Sequence, residues 1–157
     1  MFGLENHQLA YVLNAFLVQL ILIAHFALRK WRFNLAMRYG PLVYAMSIPS
    51  FALSIFLYNR GVDYAYWLGG FIYMVWGLYG YSIEYILKIE WRNSLHWSIL
   101  IPYVVLYLAT VMFYWWPLAL IYKPLWYVYA VFFLVSTYFN VTSHRQVEKL
   151  RPNQKFG

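Results

Sequence analysis

Glu84 is the residue whose chemistry most needs an explanation. It falls inside a long apolar run, where an ionisable group is costly and by default marks a ligand, ion or proton site. Along a helix, Tyr66, Tyr73, Gly77, Gly80 and Glu84 return to nearly one face, at offsets of 0, 7, 11, 14 and 18. Two histidines stand at a similar depth, His25 near the end of the first apolar run and His96 at the start of the fourth. Imidazole and carboxylate together can relay protons, hold a cation or act as general acid and base. Two histidines on separate helices can also ligate a haem iron. Each residue has a plainer reading as well: Glu84 can pair with Lys88 one turn on, and His96 can sit in the headgroup zone beside Trp97.

The other apolar runs carry polar stripes of their own. Asn14 and His25 share a face in the first, which leaves Gln19 pointing elsewhere. Ser47, Ser50, Ser54 and Tyr58 align in the second, and His96, Tyr103, Tyr107, Thr110 and Tyr114 in the fourth. Tyr129, Ser136, Asn140 and Ser143 align in the fifth. Hydrocarbon cannot satisfy such groups, so each stripe should face the interior of a bundle. There the stripes either bond to one another and pack at small residues, or they line a pocket. The ligand-facing candidates are Glu84, His25, His96, Tyr73, Tyr103, Tyr107, Asn14 and Asn140.

The elements that must position these residues are five apolar stretches at about 9–28, 41–58, 64–87, 97–116 and 124–143. Each is close to the roughly 20 residues needed to cross about 30 Å of hydrocarbon. The expected fold is an all-α integral membrane protein, a five-transmembrane-helix bundle forming a single membrane domain over residues 1–157. Hydrophobic residues make up 64% of the chain and charged residues 11%, well below the roughly 25% charged residues of a soluble domain. Trp31, Trp67, Trp91, Trp97, Trp115, Trp116 and Trp126 sit near the proposed span ends, as an interfacial aromatic belt would place them.

The net charge of +7 is distributed by topology rather than for nucleic acid, which is not an expected partner. Lys and Arg concentrate at 29–38, at Lys88 and Arg92, and in the tail from Arg145, while the intervening loops hold only Arg60 and Lys123. The positive-inside rule then places the N-terminus outside and the C-terminal tail in the cytoplasm, against an anionic leaflet. Residues 29–39 are expected to lie in the inner interface, with Gly40-Pro41 as the break before the second span. Pro117 to Pro124 is read as an apolar connection at membrane depth. Cysteine is absent, which removes disulfides, thiolate metal sites and thiol catalysis. No phosphate-cradling loop, nucleophile elbow or His-Glu-x-x-His is present.

Val75-Trp76-Gly77-Leu78-Tyr79-Gly80-Tyr81 resembles in part the Val-Trp-x-x-Leu-Tyr stretch of translocator proteins of the tryptophan-rich sensory class. The Trp-to-Leu spacing is shorter, the stretch falls on the third span rather than the second, and the expected Pro-Pro loop is missing. No residue is carried over from that family.

Three functions therefore stand as expectations. The first is a small module that binds or transports an aromatic, lipid-like or cationic molecule in an intramembrane pocket. The second is an accessory subunit or sensor segment of a larger membrane complex, or a homo-oligomer. The third, set last because no catalytic signature is found, is a membrane enzyme or haem protein using His25, Glu84 and His96. The sequence names no cofactor.

Overall fold

A computed structural model of the chain describes residues 5–89 and 96–149, with side chains described as far as Thr142. The basic loop 88–96, expected on the inner side, falls largely outside the described residues, as does the tail from 150 onward. The described residues are helical and contain no strand: α1 (Asn6–Trp31), α2 (Phe33–Ala45), α3 (Ser47–Asn59), α4 (Leu68–Tyr81), α5 (Trp97–Ile121) and α6 (Lys123–Lys149). Four helical stretches are long and apolar enough to cross a membrane: Asn6–Trp31, Phe33–Asn59 (α2 and α3 end to end), Trp97–Ile121 and Lys123–Thr142.

The third expected span is broken into three pieces. Asp63 accepts the Ala65 N–H at 2.8 Å and caps a 3₁₀ turn at Tyr64–Tyr66. α4 follows, and then the backbone widens into a π-helical turn at Ser82–Ile86, closed by Leu87 N–H donating to the Ser82 carbonyl at 2.8 Å. Lys88 adopts a left-handed φ of 52° and ends the helix. Lys88 therefore leaves the helical register in which an i,i+4 pair with Glu84 would form.

Two proline positions differ from expectation for one physical reason. Gly40-Pro41 lies within α2, not ahead of a span, and residues 29–31 finish α1. The interfacial segment expected at 29–39 is thus divided between two helices, with Arg32 as the break. Pro41 has no N–H for the Met37 carbonyl, and Tyr85 donates its hydroxyl to that oxygen at 3.3 Å. Likewise α5 runs through Pro117 to Ile121, and the Phe113 carbonyl that Pro117 leaves without a helical donor is 3.0 Å from the Tyr11 hydroxyl. Membrane helices keep such prolines when neighbouring groups take up the freed carbonyl.

The helices form a closed ring in chain order. α1 packs on α2, α2 and α3 on α4, α4 on α5, α5 on α6, and α6 returns to α1. Contacts such as Asn14 with Ser50, Gly77 with Ser47, and Tyr79 with Ile99 make consecutive layers antiparallel. Phe16 with Tyr129 and Gln19 with Ser136 make α6 run parallel to α1. The core is a column of fully buried aromatics that includes Tyr11, Tyr73, Trp76, Tyr114 and Tyr129. Most residues that are apolar and exposed lie on the outer faces of the ring, where lipid would meet them.

Candidate functional site

Glu84 occupies the middle of the π turn. This helix type is uncommon and is found often at functional sites. The Tyr44 hydroxyl donates to the Glu84 carboxylate (Oε2) at 2.9 Å and lies 3.2 Å from the Tyr103 hydroxyl. Three helical layers (α2, the α4 extension and α5) therefore meet at one carboxylate. Aromatic rings pack around these hydroxyls, with Trp76 centred 5.2 Å from Tyr44 and 5.4 Å from Tyr103, and Tyr85, next to Glu84, stacks on Tyr81 at 5.4 Å.

A cation belongs to the same cluster. Arg29, on the last turn of α1, lies within electrostatic range of Glu84, Tyr85, Tyr103 and His25. Its Nη1 is buried and has no hydrogen-bond partner among the described residues. A buried guanidinium N–H left without an acceptor is costly, so it is a place where an acceptor from outside the chain would bind well.

His25 joins the edge of this cluster through Gly40. A Cβ at Gly40 would overlap the Tyr85 hydroxyl and come within 3.5 Å of His25 Cε1, so the missing side chain lets α1 and the π turn close on each other. The imidazole is half-buried, with its ring centred 5.6 Å from Phe26. His96 sits elsewhere, exposed at the N-terminal end of α5, about two turns from Tyr103. Among the described residues no three His, Asp or Glu side chains are grouped to hold a metal ion.

The remaining candidates fall into two further clusters and one outlier. Asn14 donates to the Tyr114 hydroxyl at 3.1 Å and accepts from Ser50 at 2.9 Å, tying α1, α3 and α5 together. Between this cluster and Glu84 lies Gln19, which sequence spacing had pointed away from the interior. It is in fact fully buried and donates to Ser136 on α6 at 2.9 Å. The reason is that α1 packs against both α2 and α6, so its inward face is wider than one stripe. Tyr107 faces Ser136 within hydrogen-bonding reach, but without the geometry of a well-formed bond. Tyr73 is used structurally, donating to the Val43 carbonyl at 2.6 Å. Asn140 is half-buried on α6. Tyr58, expected with the serines of the second span, is 58% exposed.

Two residues of this candidate site were missed by sequence reasoning. Tyr44 lies one turn before Ser47 and could have been found by extending the serine face backwards. Arg29 read as an ordinary inner-side cation and carried no signal of burial. No protein-family model, curated protein or solved structure matches this chain.

Proposed function

We propose that the chain is a five-span membrane bundle, N-terminus outside and tail cytoplasmic, that binds or carries a small molecule at the Glu84 cluster near its inner end. The observation that carries this reading is the pairing of a carboxylate in a π turn with a buried, unpartnered Arg29 N–H. A ligand with an amine for Glu84 and the surrounding aromatic faces, and an acceptor for Arg29, satisfies both. Its remainder would be lipid-like or aromatic, as suits apolar walls. The fifth span is supported by length: Tyr64 to Ile86 runs nearly continuously as helix, about 1.5 Å per residue over about 23 residues, which reaches the hydrocarbon thickness.

The test is native mass spectrometry on protein released from mild detergent, with an absorption spectrum of the same sample. Wild type is expected to carry a non-lipid or single-lipid adduct that Glu84→Gln and Tyr103→Phe lose. Bare wild-type protein would remove the ligand site, and a co-isolating partner chain would shift the reading to an accessory subunit. A haem band would instead support the enzyme reading. The orientation has its own check, because the absence of cysteine makes the chain a clean background for single-cysteine labelling. In intact cells a membrane-impermeant maleimide should label Val62→Cys, and should reach Gln154→Cys only after permeabilisation. The reverse pattern would invert the topology.

A further inference from the structure

The end of the bundle opposite Glu84 carries a cleft of about 720 Å³, a size within the roughly 300–1,000 Å³ of small-molecule sites. Its walls come from three places. The start of α1 gives Glu5 and His7, the end of α3 gives Phe56 and Arg60, and the loop and 3₁₀ turn that follow give Asp63 and Tyr66. Along α1 the cleft lies about 35 Å from Arg29, at about 1.5 Å per residue. It is a separate place from the Glu84 cluster.

The charges in this cleft are its unusual feature. Arg60 and Asp63 are three residues apart and line the same space, yet they form no ion pair with each other. The ion pair in the cleft is instead His7 with Glu5, at 3.1 Å. Arg60 and Asp63 are each drawn aside by their own element. The Arg60 guanidinium lies over the Phe56 ring at 5.1 Å, one turn back along α3. Asp63 turns forward, and its Oδ1 accepts the Ala65 N–H at 2.8 Å. The loop between them is pinned: Gly61 takes a left-handed φ of 68°, Val62 N–H donates to the Leu57 carbonyl at 3.2 Å, and the Trp67 indole donates to the Val62 carbonyl at 3.1 Å. These contacts hold opposite charges across a space rather than against each other.

A cleft with both signs present and unpaired suits a guest that carries both signs. A guanidinium takes a carboxylate or phosphate through its fork of N–H donors. A carboxylate accepts a hydrogen bond from a primary ammonium, which a quaternary ammonium cannot donate. Phe56, 51% exposed, and Tyr66 give aromatic surface for the carbons between. We infer that this cleft binds a zwitterion with a primary ammonium, its anionic group on Arg60 and its ammonium on Asp63, with Glu5 beside it. Two sources share that chemistry: a free amino acid, and the ethanolamine phosphate headgroup of a lipid at the membrane surface. The inference is independent of the ligand reading at Glu84.

The experiment is isothermal titration calorimetry of the full chain in mild detergent, with L-phenylalanine, glycerophosphoethanolamine and glycerophosphocholine as probes. Wild type is expected to bind at least one of the first two at one site per chain, and glycerophosphocholine at least tenfold more weakly. Asp63→Asn removes the charge and keeps the cap, since an Asn oxygen also accepts the Ala65 N–H. That variant and Arg60→Gln should each weaken binding at least tenfold. Lys123→Gln, a cation that does not line the cleft, should leave it unchanged. Binding of phenylalanine alone makes a free amino acid the guest, binding of glycerophosphoethanolamine alone makes it the headgroup, and binding of both shows selection by the shared charges. No saturable binding of either probe overturns the inference. So does an unchanged affinity in Asp63→Asn and Arg60→Gln proteins whose circular dichroism matches wild type, or an equal affinity for glycerophosphocholine. A loss confined to Glu84→Gln also overturns it, and moves the guest to the Glu84 cluster.

Discussion

Trp76→Ala costs about 3–5 kcal/mol of stability, the range for deleting a large buried aromatic. The indole is 2% exposed and is the largest side chain buried to that degree. Its ring lies within about 6 Å of four others: Tyr44, Tyr73, Tyr103 and Tyr107. Truncation therefore opens a cavity where α2, α4 and α5 meet, beside the groups that hold Glu84. Trp76→Phe retains most of these ring contacts and removes an N–H that has no partner among the described residues, so its cost falls to about 1–2 kcal/mol. Unfolding in mixed micelles, titrated with SDS and followed by far-ultraviolet circular dichroism, measures both. Equal losses for Ala and Phe would show that the indole N–H, and not the ring volume, does the holding.

How much of this was legible in the sequence depended on whether one helix could be read without its neighbours. The faces through Ser47, Ser50 and Ser54, through Tyr73, Gly77, Gly80 and Glu84, and through Tyr107, Thr110 and Tyr114 were all visible as periodicities. A single inward stripe is what a helix with one buried side must show. Gln19 was misplaced because α1 is covered on two sides. Pro41 and Pro117 read as breaks because proline destabilises a helix on its own, and the tyrosines that take up their freed carbonyls come from distant positions, Tyr85 and Tyr11. The π turn around Glu84 has no sequence signature of the kind that caps and turns possess. Arg29 shows the same limit: its charge was evident, but its proximity to a carboxylate from a different helix was not.

Gly70→Ala carries the second large effect, a loss near the top of the roughly 1–3 kcal/mol typical of overpacking. A Cβ at this position would overlap the Ser54 hydroxyl and lie 2.7 Å from the Ser50 carbonyl oxygen. The first of these neighbours is a side chain that can rotate or be removed. The second is backbone in the first turn of α3, which continues from α2, and cannot yield without moving the helix. Ser54→Ala in the same background should therefore recover only part of the loss. On the opposite side α4 faces α5 across the adjacent Gly69, where a Cβ would stand 3.3 Å from the Phe113 carbonyl, so little space is left for α4 to shift away from α3. The displacement falls on α3, and it carries Ser50 away from Asn14, breaking the 2.9 Å bond between them. Close packing at small residues is how membrane helices associate when lipid supplies no hydrophobic drive, and here it also sets the register of a polar cluster. SDS-titrated unfolding of Gly70→Ala, Ser54→Ala and the double variant decides the matter. Full recovery in the double variant would mean that the serine hydroxyl alone was the obstacle and that α3 is free to move.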